Sequence, residues 1–208
     1  MQALEEPLAK LVGDELVASL ARVLLLAYRR GEVSYDEVMQ EASDPEELLL
    51  EAHRWRLLLP KVTSSEWNER ALKVRGGEVY EMPRVVCHLI RRAVEEGRWD
   101  PEGAIAEAFR EIGEERWEVV PELVRRVLAR GLRVTAEEIR GAAEEVGLGT
   151  KVDPLIAELK ATGVMSPRLG SLTEALKART PIYELNPSLR PPSPEEPSSS
   201  DTERPERA

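Results

Sequence analysis

The stretch from Leu132 to Pro187 decides how the chain is expected to fold. Residues 132–165 read LRVTAEEIRGAAEEVGLGTKVDPLIAELKATGVM, and residues 181–187 read PIYELNP. The opening Leu-Arg-Val predicts a short strand, and Thr135 followed by Glu138 predicts a helix that opens with a capping box. One side of that helix is apolar and carries Ile139, Ala142, Ala143 and Val146.

A second helix is expected after the tight turn formed by residues 147–149. Thr150 can cap this helix, with Asp153 at the third position and Pro154 still in the first turn. Its buried stripe comprises Leu155, Ile156 and Leu159, and Gly163 is expected to end it. Apolar strands are predicted at residues 164–165 and 182–185, on either side of a polar excursion. A helix from Val119 to Arg130 precedes the whole stretch.

This order of helix, strand, helix, turn, helix and two-stranded hairpin resembles a winged helix-turn-helix domain. In that family the third helix commonly enters the major groove of DNA, and the hairpin contacts phosphates or the minor groove. The resemblance implies candidate DNA-binding residues on this helix and hairpin, namely Thr150, Lys151, Lys160, Arg168, Lys177 and Arg179. Residues 151–190 carry six basic and four acidic side chains. A plain solvated hairpin explains this modest excess nearly as well.

The first part of the chain repeats these signals about one hundred positions earlier. A helix is predicted from Asp14 to Gly31, followed by a capping box at Ser34 and Glu37 whose short helix turns Val38 and Met39 inward. Ser43 is expected to cap the next helix, which runs to Arg56. Strands are predicted at residues 57–59, just before Pro60, and at residues 78–82.

We therefore expect two winged-helix units in a chain that is mainly α-helical with small β-hairpins, an α+β fold. The expected boundaries are residues 1–83 for the first unit, 84–118 for a helical connector and 119–189 for the second unit. Residues 190–208 are rich in Pro, Ser, Glu and Arg, so they are expected to be a disordered tail. The connector is too apolar for a flexible linker, and it either packs the units together or forms a homodimer surface.

The first unit is harder to place on DNA, because its third helix opens with carboxylates. Its long wing instead offers candidate partner-binding residues, namely Trp67, Arg70, Lys73 and Arg75. A tryptophan near a wing tip can anchor a partner protein, or it can fold back over its own hairpin.

Composition narrows the class of protein further. The chain has 208 residues, a formal net charge of −10 and a single cysteine, Cys87. No apolar run reaches the length of a membrane span, and one cysteine excludes an internal disulfide framework, so a cytoplasmic protein without membrane attachment is expected. No catalytic, metal or cofactor constellation is evident. His53 and His88 lie in different units, and neighbouring Cys87 and His88 cannot both face one point on a helix.

Two functions remain open on the sequence alone. The first is a DNA-binding protein, a transcriptional regulator that contacts duplex DNA through the second unit. The acidic total counts against loose attachment to phosphates, and no Asn, Gln or Arg on the candidate third helix suits bidentate base recognition. The second is an acidic scaffold that assembles with other proteins, as tandem winged-helix proteins do in chromosome-segregation and similar complexes.

Overall fold

The fold was analysed in a computed structural model that describes residues 2–61, 72–167 and 179–190. In these residues the α-helices are Gln2–Leu8 (α1), Asp14–Arg30 (α2), Tyr35–Glu41 (α3), Pro45–Arg54 (α4), Arg84–Glu96 (α5), Pro101–Glu111 (α6), Val120–Arg130 (α7), Ala136–Glu145 (α8) and Val152–Ala161 (α9). The strands are Glu32–Ser34 (β1), Leu59–Pro60 (β2), Val79–Glu81 (β3), Arg133–Thr135 (β4), Met165–Pro167 (β5) and Ile182–Leu185 (β6). The chain is thus mainly helical with small antiparallel sheets.

Each half of the chain builds a three-stranded antiparallel sheet in which its last strand is central. The strand orders are β1-β3-β2 and β4-β6-β5. Val33 pairs with Tyr80 in the first sheet, and Val134 pairs with Tyr183 in the second. The order helix, strand, helix, helix, strand, strand therefore occurs twice, as α2-β1-α3-α4-β2-β3 and as α7-β4-α8-α9-β5-β6.

The local signals for helix ends were read correctly at several positions. Ser34 and Glu37 form a capping box, as do Thr135 and Glu138, with both reciprocal hydrogen bonds present. Gly31 ends α2 in the left-handed conformation, in agreement with the sequence. In the connector, Gly97 ends α5 in the same conformation and Asp100 caps α6.

Three sequence predictions about helix caps and side-chain burial were wrong. Thr150 does not cap α9, because Gly149–Lys151 already forms a 3-10 turn and the helix begins at Val152. Asp44 rather than Ser43 caps α4, since Pro45 takes the first helical position and the residue just before it becomes the cap. Met39 is exposed and not inward, whereas its neighbour Val38 is fully buried.

The halves and the connector share one cluster of buried apolar residues. Leu4 and Leu8 of α1 are fully buried, and α1 packs against α5 and α2. Helices α5 and α6 pack closely on each other, and α6 also packs on α7. The connector therefore packs the two halves together in one chain. A homodimer through residues 84–118 remains a prediction.

Arg56 is the polar centre of the junction between the halves. Its guanidinium contacts Ser166 Oγ and donates to Glu184 Oε2 at 2.6 Å. The buried Asn186 side chain donates through Nδ2 to the carbonyl oxygens of Arg56 and Gly163, at 3.2 and 3.3 Å.

Gly163 has φ of +81°, and a Cβ atom there would lie 2.4 Å from the Cβ of Pro83. Only glycine fits this conformation and this close approach without displacing Pro83.

The end of the second half closes against the connector. Trp99 Nε1 donates to the carbonyl oxygen of Ser188 at 2.9 Å, and Leu189 is buried. A 3-10 turn at Pro187–Leu189 positions both groups. The expected disordered tail falls almost wholly outside the described residues, apart from Arg190.

None of the helices in the described part of the chain combines the length and apolarity that a bilayer crossing requires.

Candidate functional site

The candidate DNA-binding residues lie at scattered points of the second half. Thr150 and Lys151 are exposed just before and at the start of α9, and Lys160 is exposed in its last turn. Arg179 is exposed ahead of β6, with φ of 52°. The two other candidates, Arg168 and Lys177, lie outside the described residues. Among the described residues, no hydrogen bond or ion pair connects the side chains of Thr150, Lys151, Lys160 and Arg179 to one another.

A segment that the sequence did not single out covers the start of α9. We call residues 113–116 the acidic loop; they follow α6. Arg116 Nη1 donates to the carbonyl oxygen of Gly147 at 2.6 Å, which attaches the loop to the turn between α8 and α9. Glu115 Oε2 then accepts a hydrogen bond from Lys151 Nζ at 3.1 Å. The lysine that would lead α9 toward a phosphate is therefore paired within the chain.

The charges around this contact favour cations and disfavour anions. The hydrogen bond from Lys151 to Glu115, with the negative charges of Glu115 and Glu114, raises the pKa of the lysine. Burial, together with the charge of Glu114, raises the pKa of Glu158. The Oε2 atom of Glu158 is buried without a hydrogen-bond partner in the described residues. Three carboxyl groups thus surround the one lysine at this end of α9, where a DNA phosphate would have to compete with them.

The helix pair α3 and α4 carries the other notable surface. Leu50 on α4 is 56% exposed and Met39 on α3 is 54% exposed. Within the described residues, Val94 is the only other large apolar side chain that is exposed. Asp36, Glu46 and Glu47 are exposed on the same two helices. We call Asp36, Met39, Glu46, Glu47 and Leu50 the α3–α4 face.

Sequence reasoning overlooked this face, although a signal was present. Residues 48–50 are three consecutive leucines on a helix. Neighbouring residues on a helix point about 100° apart, so three in a row cannot all face the core. Leu48 and Leu49 are buried, and Leu50 is left in solvent.

The candidate partner-binding residues of the first half lie partly outside the described residues, and their role stays a prediction. Trp67 and Arg70 lie outside the described residues. The carbonyl oxygen of Lys73 accepts a hydrogen bond from Tyr80 Oη at 2.6 Å, which connects the backbone of this residue to strand β3. Arg75 is exposed and pairs with Glu78 at 2.9 Å. Neither described residue contributes to the α3–α4 face.

A polar pocket lies where the halves meet the connector, and Cys87 and His88 line it. His88 Nε2 lies 2.7 Å from Glu111 Oε2, and Arg84 pairs with the other oxygen of Glu111 at 3.3 Å. Burial, with the nearby charge of Glu111, raises the pKa of the Cys87 thiol, which disfavours the nucleophilic thiolate. No group of three or more metal-binding side chains occurs in the described residues. In this pocket Arg84 and His88 both pair with Glu111.

Comparison with known proteins identifies a family without assigning an activity. A protein-family model matches residues 2–191, which include both halves and the connector. No curated protein and no solved structure matches the chain.

Proposed function

We propose that this chain, which belongs to the protein family whose model matches residues 2–191, is a protein-interaction module built of two winged-helix units. It binds a partner protein through the α3–α4 face of its first unit. The observation that carries this proposal is the exposure of Leu50 and Met39, at 56% and 54%, beside carboxylates that form no ion pair with any other described residue.

The winged-helix assignment is supported by the recurrence of one element order. In each half, a helix and a short strand precede two helices and a hairpin, and the first strand pairs with the last. The positions that commonly read DNA in such a domain are the third helix and the hairpin. In this chain the third helices are α4 and α9.

Charge at both third helices disfavours duplex DNA as the partner. α4 opens with Glu46 and Glu47, both exposed. Lys151, the residue just before α9, is already bound to Glu115 of the acidic loop. A phosphate at either helix would meet carboxylates first, and phosphate neutralisation supplies most of the affinity of non-specific binding.

Exposed apolar side chains favour a protein partner instead. Contiguous apolar patches with a polar rim mark sites of association on monomer surfaces. Leu50 and Met39 lie on two helices that contact each other, and we take them as the apolar part of such a patch. Burying Leu50 and Met39 against a partner would add about 1 to 2 kcal/mol for each side chain, given that about half of each is already covered.

DNA binding through the second unit is the second candidate function. The observation in its favour is that Lys160 and Arg179 are exposed and form no ion pair within the described residues. This function would use the unit that does not carry the α3–α4 face.

A titration with duplex DNA separates the two functions. Fluorescence anisotropy of a labelled random duplex is measured with the full chain at about 50 mM and about 200 mM salt. The proposal predicts that the duplex does not bind the chain at either salt concentration. Binding that weakens with salt would contradict it. If the K151A/K160A/R179A variant then lowered the slope of log affinity against log salt by about 2.7, roughly 0.9 for each phosphate contact, the second unit would be the DNA-binding site.

A further inference from the structure

The two halves provide an internal comparison for the α3–α4 face. Leu50 is the sixth residue of α4, and the sixth residue of α9 is Ala157. Met39 is the fifth residue of α3, and the fifth residue of α8 is Arg140. All four positions are exposed. The same place in the repeated order of elements thus carries large apolar side chains in the first half only.

Each exposed apolar side chain has a carboxylate one turn before it. Asp36 precedes Met39 by three positions, and Glu47 precedes Leu50 by three. Glu46 lies four positions before Leu50. Residues three or four apart are neighbours on a helix surface, so these carboxylates flank the apolar groups.

The charge of the whole segment is strongly negative. Residues 35–54 contain seven carboxylates (Asp36, Glu37, Glu41, Asp44, Glu46, Glu47 and Glu51) and one arginine, Arg54, which gives −6. Internal contacts occupy some of these groups: Glu37 pairs with Arg30, Glu41 with Arg22 and Glu51 with Arg54. The side chains of Asp36, Glu46 and Glu47 have no hydrogen bond or ion pair within the described residues. These three are free to attract a cationic partner.

From this arrangement we propose that the α3–α4 face binds a basic amphipathic helix of a partner protein. The inference depends on the proposed function and specifies its partner. An apolar stripe on the incoming helix covers Leu50 and Met39, and lysines or arginines beside the stripe pair with Asp36, Glu46 and Glu47. A helix with an apolar face and flanking charges is a common ligand for such a surface, and it is recognised by a few anchor residues one turn apart.

Helix α7 of a second copy of the chain does not suit this face. The most arginine-rich helix of the second half, α7, buries its apolar side chains in its own core, namely Val120, Leu123, Val124, Val127 and Leu128. Arg125 and Arg126 of this helix are paired with Glu122. Helix α7 therefore has no free apolar stripe to offer another copy.

The experiment uses a synthetic basic amphipathic peptide as the probe. It has about 18 residues, long enough to form a helix, with leucines along one stripe and lysines elsewhere. Binding to the full chain is followed by fluorescence anisotropy of the labelled peptide. Two control peptides are a scrambled sequence that destroys the stripe and a version with glutamates in place of the lysines.

Variants of the chain test both parts of the recognition. Leu50→Ala, which copies the residue at the equivalent position of α9, is expected to weaken binding about tenfold, as loss of one apolar anchor does. The E46K/E47K double variant reverses two charges in the first turn of α4 and is expected to weaken binding by at least as much. Its matched control is E102K/E137K, which reverses two exposed first-turn carboxylates of α6 and α8. The control has the same net charge and the same unfavourable interaction with the helix dipoles.

The proposal holds if the amphipathic peptide binds, the two control peptides do not, and E102K/E137K binds like the unmodified chain. Equal loss in E46K/E47K and E102K/E137K would show attraction to net charge alone and would overturn it. Absence of peptide binding would also overturn it, as would a dimer that L50A dissociates in sedimentation. These outcomes reject the partner class only, whereas salt-dependent DNA binding by the full chain would reject the proposed function itself.

Discussion

Replacement of Arg56 by alanine is expected to weaken the junction between the two halves. The variant removes the hydrogen bond to Ser166 and the ion pair with Glu184 at 2.6 Å. The Arg56 side chain is 22% exposed and that of Glu184 is 28% exposed, so the pair is shielded from water more than a surface pair is. The backbone contact from Asn186 to the Arg56 carbonyl survives, because it does not involve the side chain.

The expected loss of unfolding free energy is about 2 kcal/mol. A hydrogen bond to a charged group contributes about 1.5 to 3 kcal/mol, and the lower half of that range applies because Glu184 keeps Arg133, whose Nε lies 3.6 Å from its other oxygen. Arg56 adopts a left-handed backbone with φ of 51°. Alanine bears the same conformational cost, whereas glycine avoids about 1 kcal/mol of it. Arg56→Gly should therefore be about 1 kcal/mol less destabilising than Arg56→Ala.

Equilibrium unfolding in urea, followed by tryptophan fluorescence, measures both variants. The matched control is Arg125→Ala, which removes an arginine that is 59% exposed and pairs with Glu122. Such exposed pairs contribute less than about 1 kcal/mol. A loss in R56A no larger than that in R125A would refute the account of the junction. A lower free energy of unfolding for R56G than for R56A would refute it as well.

Three further predictions concern titration, caps and the chain end. Glu158→Gln should raise the melting temperature at pH 7 and have little effect near pH 4, because a raised folded-state pKa gives stability that is lost as pH rises through that pKa. The hydrogen bond from the Ser34 backbone, with those from Arg30 and the Ser34 hydroxyl, lowers the pKa of Glu37 to about 2. Its contribution should therefore be present above the ordinary carboxyl pKa and disappear as pH falls toward 2, and calorimetry of Glu37→Gln between those limits should show a difference that shrinks on acidification. A chain that ends at Arg190 should melt within about 1 °C of the full chain, whereas one that ends at Asn186 should melt several degrees lower, because it loses buried Leu189 and the carbonyl that binds Trp99.

Local signals in the sequence were enough to predict most helix ends. Capping boxes at Ser34 and Thr135 and the glycine after α2 involve residues within four positions of one another. Such contacts form from propensity and hydrogen bonding alone. The predicted cap at Thr150 was wrong for a similarly local reason. Thr150 lies inside the 3-10 turn Gly149–Lys151, so it does not occupy the cap position of α9.

The surfaces that matter for function depend on distant contacts and could not be predicted in the same way. Lys151 was expected to face DNA, but its partner Glu115 lies 36 positions earlier. Arg56 and Glu184 are 128 positions apart. Periodicity does not encode which loop will lie over which helix. The exposure of Leu50, by contrast, could have been predicted from the leucine run and helix geometry, but it was overlooked.

Photocrosslinking from position 50 shows directly whether the α3–α4 face contacts another polypeptide. A photoreactive amino acid replaces Leu50 in the full chain, which is expressed in cells of the source organism and irradiated. The matched control places the same group at Ala157, the equivalent exposed position of α9. The account predicts a covalent adduct with another polypeptide from position 50 and none from position 157. No adduct from position 50, or the same adduct from both positions, would contradict it.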